Sequence, residues 1–128
     1  MLDTVIVGGG LCGLALANSL HAQGRSFALY EARERLGGRI LSVPCPIAGM
    51  AVDLGPTWYW PDTQPRMSRL VAELGLASFP QHDSGAVLRL NEADKKPETM
   101  AVDGVHGGAQ RVENGMGAVV HALAQRLP

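Results

Sequence analysis

Val5-Ile6-Val7-Gly8-Gly9-Gly10-Leu11-Cys12-Gly13 is an apolar run, short enough for a buried strand, that meets a glycine cluster in which a helical pattern begins at Leu11. It reads as strand, tight turn, helix. Gly8, Gly10 and Gly13 keep the G-x-G-x-x-G spacing, and each glycine has a separate mechanical reason to lack a side chain. Gly8 permits the sharp turn, Gly10 lets a pyrophosphate approach the backbone, and Gly13 lets the helix lie close on the strand. The helix N-terminus then offers unpaired N–H groups and a partial positive charge to phosphate, so a dinucleotide is the expected ligand. Glycine clusters also occur in ordinary turns, and the flanking residues decide between the two readings. Ala15, Leu16 and Leu20 continue an apolar helical face, small Ala17 follows one turn after Gly13, and Gln23-Gly24 ends the helix. A second apolar run, Phe27-Ala28-Leu29-Tyr30, ends at Glu31, 18 residues after Gly13. That places a carboxylate at the tip of the second strand, able to accept hydrogen bonds from ribose hydroxyls.

The next stretch, Glu31-Ala32-Arg33-Glu34-Arg35-Leu36-Gly37-Gly38-Arg39, sets three arginines and a glycine pair directly after that strand. Glycines let the chain pass close to phosphate, and Arg39 can give a bidentate, charge-assisted contact to its oxygens. Taken without the fingerprint before it, the same stretch is a solvated basic turn.

The run from Val5 to Arg39 resembles the flavin-containing amine oxidoreductase family, which includes monoamine, polyamine and L-amino-acid oxidases and, more distantly, phytoene desaturases and protoporphyrinogen oxidase. The resemblance implies that the fingerprint binds the ADP half of FAD, that the acidic residue holds the ribose, and that the Gly-Gly-Arg segment contacts ribose and pyrophosphate. Those roles fall on Gly8, Gly10, Gly13, Glu31, Arg33, Gly38 and Arg39, with Leu11, Cys12, Ala32 and Gly37 beside them in the same loops. Arg35 competes closely with Arg33. A second stretch, Val52-Asp53-Leu54-Gly55-Pro56-Thr57-Trp58-Tyr59-Trp60-Pro61, holds three aromatic residues in a turn bracketed by prolines. These rings either fill the core beside the turn or wall the flavin. The stretch is similar to the Asp-x-Gly-x-x-Trp segment of bacterial amine-oxidase-like flavoproteins, which implies a flavin-proximal place for Gly55, Pro56, Thr57 and Trp58. L-Amino-acid oxidases carry an arginine here for the substrate carboxylate; this stretch has none, which disfavours a carboxylate-bearing substrate.

Length bounds the rest: 128 residues make at most one domain, able to bury roughly two thirds of its unfolded surface. Sixteen glycines and 46% hydrophobic residues suit a loop-rich α/β protein. A net charge of −1 gives no sign of nucleic acid or an anionic membrane surface as partner. No stretch reaches the ~20 apolar residues of a membrane span or has the form of a signal peptide, so a cytoplasmic location is expected. Cys12 and Cys45 form no C-x-x-C pair, and His21, His82, His106 and His121 show no metal-ligand spacing.

Beyond Arg39, Ile40 to Val43 reads as a short extended piece interrupted by Pro44 and Pro46. Pro65 opens a helix through Met67, Leu70, Val71 and Leu74 that stops at Gly75. Ala86 to Leu90, a polar tip Asn91 to Pro97, and Thr99 to Val102 suggest a β-hairpin, and Met116, Val119, Val120, Leu123 and Leu127 mark the apolar face of a last helix.

The expected fold is therefore α/β, a Rossmann-like βαβ FAD-binding start of the amine-oxidase type. Residues 1–60 would form the βαβ unit and flavin-proximal segment, and residues 61–128 the helix, hairpin and final helix leading into a substrate region. Such a βαβ start lacks its third strand and has an uncovered face, which further C-terminal chain or a second chain would complete. The resemblance implies oxidation of a small-molecule amine to an imine by hydride transfer to FAD, with oxygen as acceptor. Alternatives are a non-catalytic nucleotide-binding fragment or subunit of a split flavoprotein, and a desaturase- or mutase-type relative with the same FAD motif. An NAD-dependent dehydrogenase leaves the Gly-Gly-Arg segment without a use. No residue is assigned as acid, base or nucleophile.

Overall fold

The computed structural model describes residues 2–101 and 104–128; Val102, at the end of the expected hairpin, lies outside them. The chain begins with β1 (Thr4–Val7), α1 (Leu11–Ala22) and β2 (Phe27–Tyr30), and the two strands pair in parallel with Val5 beside Ala28 and Val7 beside Tyr30. Parallel pairing requires a crossover, and α1 supplies it. Gly8 turns the chain out of β1 at φ +103, a conformation that L side chains rarely adopt. A Cβ on Gly13 would collide with the Gly8 carbonyl oxygen, so the close approach of α1 to β1 depends on glycine there. The helix buries Leu14, Ala17 and Leu20. This corrects the expected face: Leu16 is 47% exposed. Leu14 replaces it because the faces in contact with the sheet and with the final helix follow i, i+3, i+6 rather than the run Ala15-Leu16.

The segment after Arg39 is also corrected. Ser42–Cys45 forms β3 and pairs antiparallel with β4 (Met50–Asp53), so Pro44 lies inside a strand. Leu54 N–H donates to the Leu41 carbonyl at 2.8 Å, which makes that pair a hydrogen-bonded one and places Pro44 opposite Ala51 at a non-hydrogen-bonded position. Proline costs the ladder nothing there.

The helix α2 (Pro65–Glu73) has Pro65 in its first turn and buries Val71, with Met67, Leu70 and Leu74 packed beside it, as expected. Ser78–Pro80 is β5, and the expected hairpin is β6 (Ala86–Arg89) with β7 (Glu98–Ala101). An unexpected strand, β8 (Gln110–Val112), pairs with β5, and its Gln110 also bridges Tyr59. The final helix α3 (Gly117–Gln125) buries Val119, Val120 and Leu123. The β3–β4 hairpin caps it: Met116 N–H donates to Asp53 Oδ1 at 2.9 Å and Gly117 N–H to Ser42 Oγ at 2.7 Å. These bonds satisfy donors that a helix start otherwise leaves open.

One cluster of buried residues joins Leu14, Ile40, Tyr59, Val71, Val112, Met116 and the buried face of α3. Asn18 ties α1 to α3 by donating to the carbonyls of Leu14 and Leu123, both at 2.9 Å. Only one face of the β1–β2 pair is covered. Ile6 is buried against α1, whereas Val5, Val7 and Tyr30 on the other face are 59%, 87% and 62% exposed.

Candidate functional site

A cleft of about 840 Å3 opens where the glycine turn, the loop after β2, the Pro56–Tyr59 segment and the first turn of α2 meet. Gly8, Gly10, Leu11, Cys12 and Gly13 line it from the glycine turn, Arg33, Gly37, Gly38 and Arg39 from the second loop, and Pro56 and Trp58 from the aromatic segment. Glu31, Ala32, Gly55 and Thr57 do not line it. The structure thus brings both loops and the aromatic turn to one place.

Backbone pairing holds the two loops together. Gly37 N–H donates to the Gly9 carbonyl at 2.8 Å, and Gly10 and Gly37 form a parallel bridge. Glu31 fastens the arrangement from beneath: Oε2 accepts the Gly9 N–H at 2.7 Å and Oε1 the Arg33 N–H at 3.0 Å. The Arg33 and Gly9 amides hold its carboxyl below the usual glutamate range. A carboxylate has about four acceptor sites, so these bonds leave room for further donors.

The glycines of the cleft differ in kind. A Cβ on Gly10 would lie 3.9 Å from the Gly38 Cα and 4.0 Å from the Gly37 carbonyl oxygen. The protein itself has space for a methyl at this cleft-lining residue. A Cβ on Gly55 would instead collide with the Arg39 carbonyl oxygen. That contact explains Gly55 by chain packing against the second loop.

The arginines also separate. Arg35 donates to the carbonyls of Leu36 and Gly38 at 3.3 and 2.9 Å and of Ile40 at 3.2 Å, bracing its own loop away from the cleft. Arg33 lines the cleft and reaches the Gly38 carbonyl at 3.3 Å. Arg39 also lines it, and its guanidinium has no hydrogen-bond or ion-pair partner among the described residues. No acidic side chain is among the described residues that line the cleft, so its field favours an anion.

Residues 6–74 match the NAD(P)-binding Rossmann-like domain family. The chain belongs to that family. Within these Rossmann-like proteins it is 41% identical over 83 residues to the putrescine oxidase of Kocuria rosea, covering 65% of this chain and 17% of that one. It is 43% identical over 77 residues to flavin-containing amine oxidase B of Homo sapiens, covering 60% and 14%. The structure of a putrescine oxidase bound to putrescine superimposes with a TM-score of 0.66 at 34% identity, covering 79% of this chain and 22% of that one. The resemblance to amine oxidases read in the sequence therefore holds for the N-terminal part of the fold. The aligned stretch spans less than a fifth of the length of the two curated relatives and 22% of the putrescine oxidase structure.

Sequence reasoning missed Val7, Ile40, Tyr59, Gln64, Arg66, Met67 and Met116, which also line the cleft. A signal for Gln64 and Arg66 exists in Pro61-Asp62-Thr63-Gln64-Pro65-Arg66: a turn this short forces α2 to start beside the aromatic segment. Of the aromatics, Tyr59 is buried in the core cluster and also lines the cleft, and Trp58 is 38% exposed and lines it too.

Proposed function

We propose that this chain is the ADP-binding start of an FAD-dependent oxidoreductase of the amine-oxidase type, acting on a small-molecule amine with oxygen as electron acceptor. The observation that carries the reading is the single cleft in which the glycine turn, the Gly37-Gly38-Arg39 loop and Trp58 converge, with space above Gly10 and no lining carboxylate. Bound FAD would supply the redox chemistry, taking up hydride from the carbon beside an amine nitrogen to give an imine that water hydrolyses, with oxygen as the final electron acceptor.

In this reading Glu31 orients the ribose by accepting hydrogen bonds from its hydroxyls while it anchors Gly9 and Arg33. The α1 start has a glycine N-cap and no side-chain cap, which leaves the amides of Leu11, Cys12 and Gly13 for a pyrophosphate. Arg33 and Arg39 offset its charge. Ala32 and Gly37 shape the loop, Gly55 and Thr57 hold the aromatic turn in place, and Pro56 and Trp58 exclude water beyond the phosphates. The division into residues 1–60 as the cofactor segment and 61–128 as the start of a substrate region belongs to the same proposal, as does a cytoplasmic location; no helix among the described residues is long and apolar enough to cross a membrane.

A second reading, a non-catalytic FAD-binding subunit, is favoured by the uncovered face at Val5, Val7 and Tyr30, which a further strand or another chain would cover. One experiment separates the two. The FAD-loaded protein is mixed without oxygen with a panel of primary amines and diamines, and flavin absorbance is followed. Bleaching, then peroxide formation on admitting oxygen, is expected of the oxidase; a flavin that stays bound and oxidised with every amine refutes it and leaves the subunit reading.

A further inference from the structure

Three loops meet around His106, outside the glycine turn. Its main-chain N–H is 3.1 Å from each Asp83 carboxylate oxygen, and its Nδ1 is 2.7 Å from Oδ1. The His106 carbonyl accepts the Trp60 Nε1–H at 2.7 Å. Its imidazole meets Trp58 edge-on, with ring centroids 4.8 Å apart, and Trp58 meets Trp60 in the same manner at 6.4 Å. The Trp58 Nε1–H donates in turn to Gln81 Oε1 at 2.9 Å. The indole of Trp58 is thus held by an amide at its polar edge and by the His106 ring, and His106 is held by Asp83.

Core formation does not account for this network, because Trp58, Asp83 and His106 belong to neither buried hydrophobic cluster. Trp58 does have a place in the cleft. Gly10, Gly38, Arg39 and Trp58 line the same cleft; in the FAD reading Glu31, bonded to Gly9 of the glycine turn, holds the ribose, Gly10, Gly38 and Arg39 take the phosphates, and Trp58 is left for the rest of the dinucleotide. An aromatic wall is useful there only if its ring is fixed, since an edge-on or stacked contact depends on ring angle.

We propose that Asp83 and His106 form a clamp that fixes Trp58 as the wall for the isoalloxazine end of the cofactor. His106 is then a positioning residue for the flavin half of FAD and indifferent to the ADP half. The inference rests on the FAD reading above. The Asp83 carboxyl is held below its usual range, chiefly by the bond from the His106 side chain, so the clamp keeps a charged acceptor.

The test uses the full 128-residue chain carrying Trp60→Phe, which leaves Trp58 as its one tryptophan and keeps a ring beside it while giving up the bond to the His106 carbonyl, so every variant is compared with this parent. Acrylamide quenching of Trp58 is measured alongside FAD and ADP affinity. His106→Ala is expected to raise the quenching constant and to weaken FAD about three- to tenfold, the range of an aromatic contact, while ADP stays within about twofold. His106→Asn keeps a donor for Asp83 without the ring, and His106→Phe keeps the ring without the donor; both are expected to fall between. With Trp58→Ala in place, His106→Ala is expected to add no further loss of FAD affinity. Equal losses of FAD and ADP, or unchanged quenching, would overturn the clamp. A parent chain that binds neither nucleotide would count against the FAD reading alone, and quenching would still decide whether Asp83 and His106 hold Trp58.

Discussion

Two alanine substitutions in one turn are expected to have opposite consequences. At Gly13 a methyl would collide with the Gly8 carbonyl oxygen and lie 3.2 Å from its carbonyl carbon and 3.3 Å from Ile6 Cγ2. Backbone cannot rotate away as a side chain can, so α1 must move off β1 and loosen Leu14 and Ala17. Overpacking costs about 1–3 kcal/mol, and the backbone clash places Gly13→Ala at the upper end, about 3 kcal/mol. For a chain of this size that lowers the melting temperature by about 10 °C. At Gly10 the backbone is extended, φ −77 and ψ −178, which alanine adopts freely, and the nearest atom to its new methyl is 3.9 Å away. Loss of the glycine N-cap, a few tenths to ~1 kcal/mol, is offset by ~0.4–1 kcal/mol from a less flexible unfolded chain. Gly10→Ala is therefore expected to melt within about 2 °C of the parent. Its methyl stands where the pyrophosphate must approach, so FAD affinity falls by at least about tenfold, ~1.4 kcal/mol. Thermal melts with and without FAD on both variants check this. Gly10→Ala melting with Gly13→Ala, or binding FAD like the parent, would refute the reasoning.

The arginines give a second contrast. Arg39→Ala removes a guanidinium without a partner in the described chain, so it is expected to weaken FAD about tenfold or more with an unchanged melt. Arg35→Ala removes three carbonyl contacts and is expected to cost about 1–2 kcal/mol of stability; the reverse pattern in paired melts and titrations would exchange their roles. Stability is also expected to fall in acid. The carboxyl of Glu31 is lowered in the folded chain by the Arg33 and Gly9 amides, so its contribution is complete above the ordinary value of 4.5 and is lost as pH falls through the lowered one. Glu31→Gln is expected to flatten that part of the melting-temperature profile between about pH 5 and pH 2, and an identical slope would remove Glu31 from the account.

The first thirty residues were legible because each signal is local. The glycine spacing, the apolar runs and Gly24 act within a turn or two, and β1, α1 and β2 fall where those signals place them. The same holds for α2, where Pro65 and Gly75 bracket a periodic face. Pro44 misled because proline breaks a ladder only where its missing N–H is needed, and that depends on a register fixed by the Leu41–Leu54 pair. The pairing of β5 with β8 escaped for a related reason: three residues carry too little pattern, and their partners lie 30 positions apart or more. Within the site, both loops were readable as motifs. Gln64 and Arg66 were not, because a helix's polar face looks the same whether it meets solvent or a cleft. In the segment whose resemblance implies a flavin-proximal place for Gly55, Asp53 caps α3 and a Cβ on Gly55 would meet the Arg39 carbonyl, contacts across the chain that no local pattern announces.

The most direct measurement is thermal unfolding of the 128-residue chain against increasing FAD, with NAD in parallel. A ligand that binds only the folded state adds RT ln(1 + [L]/Kd), about 2.7 kcal/mol at a hundredfold excess over Kd. The account predicts a midpoint that climbs steadily with FAD and stays level with NAD. A cooperative transition that FAD does not move, or that NAD moves equally, would contradict it.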